Sequence, residues 1–190
     1  MRSGTWRLMA LVAVLLAAGL VRGEHMRVLG YGSLFGGIAL ILRHRIIPPH
    51  LAPLVPLALM LGVLGWFFDL YGRFGLYDIF LHTMIPGACA FLAGSALFPD
   101  RMRPMPAWAA AAVAAAVGLA LAGLWEIAEW LADVVLSAYA TEFTDTMTDL
   151  AAGAIGSALG AVLWIATPRA TSSEHRNVPI RETDPRQSSA

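Results

Sequence analysis

Eight carboxylates and one histidine are the residues whose spacing could do chemistry. At 3.6 residues per turn, Glu126, Glu129 and Asp133 share a narrow arc of one helix face. Asp78 and His82 form an i, i+4 pair, and Asp145 and Asp149 form another, so each pair shares a face of its own helix. Asp69 and Glu142 lie close by in sequence, and Arg73 is the one base near any of them. Several carboxylates and an imidazole without compensating bases suit a cation, either a proton relay or an oxygen-coordinated divalent metal with a histidine ligand. The candidate metal ligands are His82, Glu126, Glu129, Asp133 and Asp149. Asp78, Asp145, Asp69, Arg73 and Pro86 are expected in supporting or structural roles. Pro86 earns its place because, four residues after His82, it cannot donate the hydrogen bond that the His82 carbonyl normally accepts. No HExxH motif is present.

The elements that must position these groups are membrane helices. The chain has 190 residues, of which 58% are hydrophobic and only 14% charged, a balance wrong for a water-soluble domain of this size. The 13 bases, all arginine, match 13 acids, so nucleic acid is excluded as a partner on electrostatic grounds. Cys89 is the only cysteine, which rules out a disulfide framework and a cysteine metal site. Six apolar stretches compete to cross a hydrocarbon layer of about 30 Å. They are residues 6–21, 28–42, 51–72, 78–98, 107–137 and 145–167. The expectation is an all-α, polytopic transmembrane helix bundle with six spans, or five if the first does not span. Two short N-terminal segments (1–47) precede a four-helix core (51–167) that carries the acidic site, and a disordered cytoplasmic tail (168–190) follows. The first stretch also reads as a cleaved secretory signal, since Arg2 and Arg7 precede its apolar run, though no small-x-small cleavage site follows before Arg22.

Arginine excess marks cytoplasmic loops. With six spans and a cytoplasmic N-terminus, ten arginines fall on one side, and only Arg22, Arg27 and Arg73 fall on the other. Both termini are then cytoplasmic in a bacterial inner membrane, and the acids gather at the outer face. Trp6, Trp108 and Trp164 are expected as one interfacial belt, and Trp66, Trp125 and Trp130 as the other.

Plainer roles compete at each position. Asp78 suits the positive end of a helix dipole, and His82 a hydrogen bond within the bundle. Asp145, with Thr144, reads as an N-cap. Glu126, Glu129 and Asp133 could form the wet face of an emerging helix, but Trp125, Ile127, Trp130, Leu131, Val134 and Val135 make the other faces too apolar for that.

The ordered motifs Tyr77-Asp78-x-x-x-His82, Trp125-Glu126-x-x-Glu129-Trp130-x-x-Asp133 and Asp145-Thr146-x-x-Asp149-Leu150, the last followed by Gly153 and Gly156, cover much of residues 51–167. The series resembles the bacterial inner-membrane family typified by YjdF and, more distantly, VanZ-like membrane proteins. From the VanZ-like pattern it departs at Ile79 and Glu129. The resemblance implies a membrane fold and setting, with no agreed activity.

Three functions are open from the sequence. The first is a divalent-metal site handling lipid or polyprenyl phosphate headgroups at the outer surface. The second is a cation- or proton-coupled transporter that uses the acids as carriers. The third is a non-catalytic envelope or assembly protein whose acids order the helices.

Overall fold

A computed structural model describes residues 3–44, 47, 49–98, 105–136 and 142–167. The expected C-terminal tail lies outside these residues. Seven helices account for nearly all of the described chain, and no strand occurs among those residues. They are α1 (Ser3–Val21), α2 (His25–Arg43), α3 (Leu54–Phe67), α4 (Leu70–Arg73), α5 (Tyr77–Leu97), α6 (Ala107–Leu136) and α7 (Phe143–Ala166).

Four helices, α1, α5, α6 and α7, are long and apolar enough to cross a membrane. The other two expected spans fall short for different reasons. At 14 residues α3 extends only about 21 Å, less than a hydrocarbon core. Although 19 residues long, α2 includes His25, Arg27, Ser33, Arg43 and four glycines, which dilute its hydropathy.

The helices sort into two packed groups. In the first, α1, α2 and α3 bury Val12, Leu16, Leu59, Val63 and Trp66 against Val28, Tyr31, Phe35 and Ile38. The second is α5, α6 and α7, where Ala110, Ala114, Ala161 and Trp164 pack with Phe91 and Phe98. A four-helix core was the expectation from residues 51–167, but α3 spends its buried face on α1 and α2. It meets α5 through Tyr77, whose hydroxyl donates to the Leu61 carbonyl at 2.8 Å. The acids are thus framed by three helices, and α3 contributes no ionisable side chain to them.

Close backbone approach holds α5 to α7. A Cβ on Gly156 would collide with the Thr83 carbonyl, and one on Gly160 with the Gly87 carbonyl, so only glycine fits at either place. Outward faces are the reverse of a soluble protein's. On α6, Leu124 and Ile127 are exposed at 60% and 59% while Glu126 between them is 6% exposed. Apolar outside and acidic inside is the arrangement a bilayer stabilises and water does not.

Two of the tryptophans expected at membrane interfaces are buried against other helices. Trp66 stacks on Tyr31 with ring centroids 5.7 Å apart, and Trp164 covers Gly94 beside Phe98. Each finds a partner ring and a groove in the bundle, and both are 7% exposed. Trp6, Trp108 and Trp130 are exposed, as interfacial residues would be.

Candidate metal centre

Chain direction brings the acids together. Asp78 and His82 lie in the first turns of α5, Asp145 and Asp149 in those of α7, and Glu126 and Glu129 in the C-terminal half of α6. Because α6 runs antiparallel to both neighbours, all three sets meet at one end of the α5–α7 group.

His82 is the hub. Its Nε2 faces Asp78 Oδ1 at 3.5 Å and Asp149 Oδ2 at 3.9 Å, while its Nδ1 faces Glu126 Oε1 at 3.2 Å. The imidazole is thus shared between α7 on one edge and α6 on the other. Two overlapping groups result, Asp78–His82–Asp149 and His82–Glu126–Glu129, and within each the potential ligand atoms all lie within 4.8 Å of one another. Glu126 and Asp149 are almost wholly buried, at 6% and 3% exposure. No arginine pairs with either group among the described residues.

Glu126 presents the sharpest anomaly. Its Oε1 is buried and accepts no hydrogen bond, although His82 Nδ1 is only 3.2 Å away. An unsatisfied buried carboxylate oxygen costs several kcal/mol, roughly, unless an ion, a proton or water completes it.

The first group opens onto a cleft of about 270 Å³ lined by Gly75, Asp78, Ile79, Glu142, Thr144, Asp145, Thr148 and Asp149. Four of these eight are acids and none is basic, so the cleft attracts cations. Glu126 and Glu129 do not line it.

Placement alters several sequence expectations. Asp78, expected in a supporting role, stands directly at His82 Nε2. Asp133, expected as a ligand, joins neither group, because one further turn of α6 carries it past the histidine. Asp145 does not cap α7: the helix starts at Phe143 with Glu142 as its N-cap, so Asp145 sits inside the first turn and lines the cleft. Asp69 serves the α3–α4 turn with a left-handed φ of 55°, and Arg73 pairs with it at 3.9 Å, with both side chains exposed. Pro86 is buried within α5 and packs toward the Gly153 face of α7.

A second acidic centre escaped the sequence reading. Glu24, between α1 and α2, accepts hydrogen bonds from Trp66 Nε1 and from Arg27 at 3.1 Å, and pairs with Arg22 at 3.1 Å. Arg22 also donates to the Phe67 carbonyl at 3.0 Å and lies 4.7 Å from the centre of the Phe67 ring. The signal was the run Arg22-x-Glu24-x-x-Arg27 between two helices. The Trp66 hydrogen bond foremost, then the charges of Arg22 and Arg27, hold this carboxyl below the usual glutamate range.

With this geometry in hand, the chain can be set beside known proteins. A family profile described as "Predicted membrane protein (DUF2238)" matches residues 4–170. The chain belongs to this family. The matched region of this DUF2238 protein takes in both helix groups and every member of the His82 cluster. No curated protein and no solved structure matches it.

Proposed function

We propose that this integral membrane protein binds one divalent cation at His82 Nε2 with Asp78 and Asp149, and presents it through the acidic cleft to a lipid or polyprenyl phosphate headgroup. The observation that carries the reading is the pair of carboxylates, both lining the cleft, on one imidazole nitrogen. Two ligands about 2.1 Å from a shared metal lie roughly 3.0–3.5 Å apart. Asp78 stands 3.5 Å from Nε2, already within that range, and Asp149 at 3.9 Å needs to move only a few tenths of an ångström to join it. Glu126 flanks the ligand from α6, 3.2 Å from its other ring nitrogen. The histidine selects a metal such as Mn²⁺ or Zn²⁺ over Ca²⁺.

The phosphate partner follows from charge. A cleft with four acids and no base repels an anion, so phosphate binding has to be metal-dependent, with cleft metal bridging carboxylate to phosphate. The arginine distribution supports an inner-membrane setting with both termini cytoplasmic and this cleft at the outer face, where headgroups lie. The transporter reading has less support. Beyond His82 and Glu126, toward the far end of α5–α7, the described residues offer no acid or histidine. The polar track stops at Ser157, whose buried hydroxyl has no hydrogen-bond partner.

Metal analysis of protein purified without chelator, followed by Mn²⁺ and Zn²⁺ titration, tests the site. One tight equivalent is expected, weakened at least tenfold in Asp149→Asn and in Asp78→Asn. Wild type that binds no divalent ion, or variants with unchanged affinity, would overturn the proposal. For the headgroup, nanodiscs containing a polyprenyl phosphate should retain it only when Mn²⁺ or Zn²⁺ is present; metal-independent retention removes that half of the reading.

A further inference from the structure

The two faces of the His82 ring are both built for a cation, and only one of them opens on the cleft. Nε2 has Asp78 and Asp149; Nδ1 has Glu126, with Glu129 completing a second group whose ligand atoms lie within 4.8 Å. The Nδ1 side is set apart from that cleft, which neither Glu126 nor Glu129 lines. Glu126 there is 94% buried and keeps an oxygen without a hydrogen-bond donor, pointed at the histidine. Were Glu126 only an orienting acceptor, His82 Nδ1–H would be aligned on that oxygen; at 3.2 Å the two atoms are close, yet no hydrogen bond forms. An oxygen near the nitrogen but off its N–H direction is how two ligands of a common ion are arranged.

Neutral imidazole has one lone pair. With a cation on Nε2, Nδ1 carries the proton and can only donate; with a cation on Nδ1 the reverse holds. A switch between the two leaves the imidazole with one proton throughout: one is lost from Nδ1 and one gained at Nε2. The carboxylates abandoned on the first side keep the histidine as hydrogen-bond donor.

Resting on the metal reading above, we propose that the centre has two mutually exclusive cation positions, one on each side of the His82 ring: a cleft position (Asp78, His82, Asp149) and a closed position (His82, Glu126, Glu129). The cleft position is where ions enter and meet partners. The closed position holds the same ion away from the cleft, so the tautomer of one histidine decides whether the metal is presented or withheld.

Stoichiometry and Co²⁺ absorption spectra of the full chain in detergent test this. Wild type should bind a single Co²⁺. Asp78→Asn combined with Asp149→Asn should still bind one, at least tenfold more weakly, with a shifted d–d spectrum from the glutamate side. Adding Glu129→Gln to the double variant should abolish binding, and each variant is checked for a monodisperse, wild-type-sized particle. Two equivalents in wild type would overturn exclusivity, and a double variant that binds nothing while remaining monodisperse would overturn the closed position, leaving the cleft site intact. Wild type that binds no Co²⁺, Mn²⁺ or Zn²⁺ would overturn both. Should the double variant fail to fold, the single Asp149→Asn protein carries the test: one weaker equivalent with the shifted spectrum supports the second position, and an unshifted spectrum overturns it.

Discussion

Glu24 and Glu126 are the same residue type treated in opposite ways by two groups of helices. In α1–α3, Glu24 gains an indole N–H and two guanidinium groups within 3.1 Å, and its charge is fully answered. In α5–α7, Glu126 is buried with Asp149, has one imidazole for company and keeps an oxygen unanswered. An answered charge ties elements together; here it fastens the α1–α2 turn to the end of α3. An unanswered charge costs stability and persists where something outside the chain completes it. The contrast marks Glu24 as a structural acid and Glu126 as the candidate for a functional one.

The largest expected effect breaks the frame rather than the site. Gly160→Leu drives a side chain into the Gly87 carbonyl on α5, whereas Gly36→Leu on α2 enters open space. We expect a loss of about 3 kcal/mol or more for the first and little change for the second. Thermal unfolding in detergent measures it, and equal effects would mean that α5–α7 contact is not what holds the acids in place.

Next in size is a reversal of sign between the two glutamates. Glu126→Gln removes a buried, uncompensated charge, so the metal-free protein should become more stable by on the order of 1 kcal/mol. The same change should lower metal affinity 10- to 100-fold, as for other carboxylates that orient a histidine ligand. Wild type at a hundredfold excess of metal over its dissociation constant should gain about 2.7 kcal/mol, of which the variant forfeits roughly half or more at the same concentration. A variant that loses stability without metal would place Glu126 with Glu24 among the structural acids.

Much of this was legible in the sequence because helical periodicity and the cost of intramembrane charge are local rules. The i, i+4 pairs and the Glu126/Glu129 stripe needed only a common end, which antiparallel α6 supplies. Asp133 stands apart from both groups because spacing puts it on the right face but says nothing of depth, and four further residues along α6 take it about 6 Å beyond Glu129. Asp78 shows the opposite case: a first-turn carboxylate has an ordinary dipole role, and only packing reveals that it faces the same Nε2 as Asp149. The Glu24 clasp was legible only in its arginines. Its key donor, Trp66, lies 42 residues away on α3, and no short-range pattern encodes that meeting.

The smallest effect sharpens the comparison from the Glu24 side. Hydrogen bonding from Trp66 and the two arginines depress the folded-state carboxyl, so its contribution is fully present above the ordinary glutamate range. It should disappear as pH falls through the lower folded value, where protonation releases Arg22 and Arg27. Because the pairs are half exposed, the loss is only on the order of 1 kcal/mol. Trp66→Phe keeps the ring that stacks on Tyr31 but deletes the N–H donor, so the variant should be less stable at neutral pH and show a shallower decline in acid. Unfolding followed from neutral to acidic pH at fixed salt reads both quantities. Metal affinity at the His82 centre should stay unchanged throughout that variant series at neutral pH, since the clasp belongs to α1–α3; a fall in affinity there would show that the two helix groups are coupled.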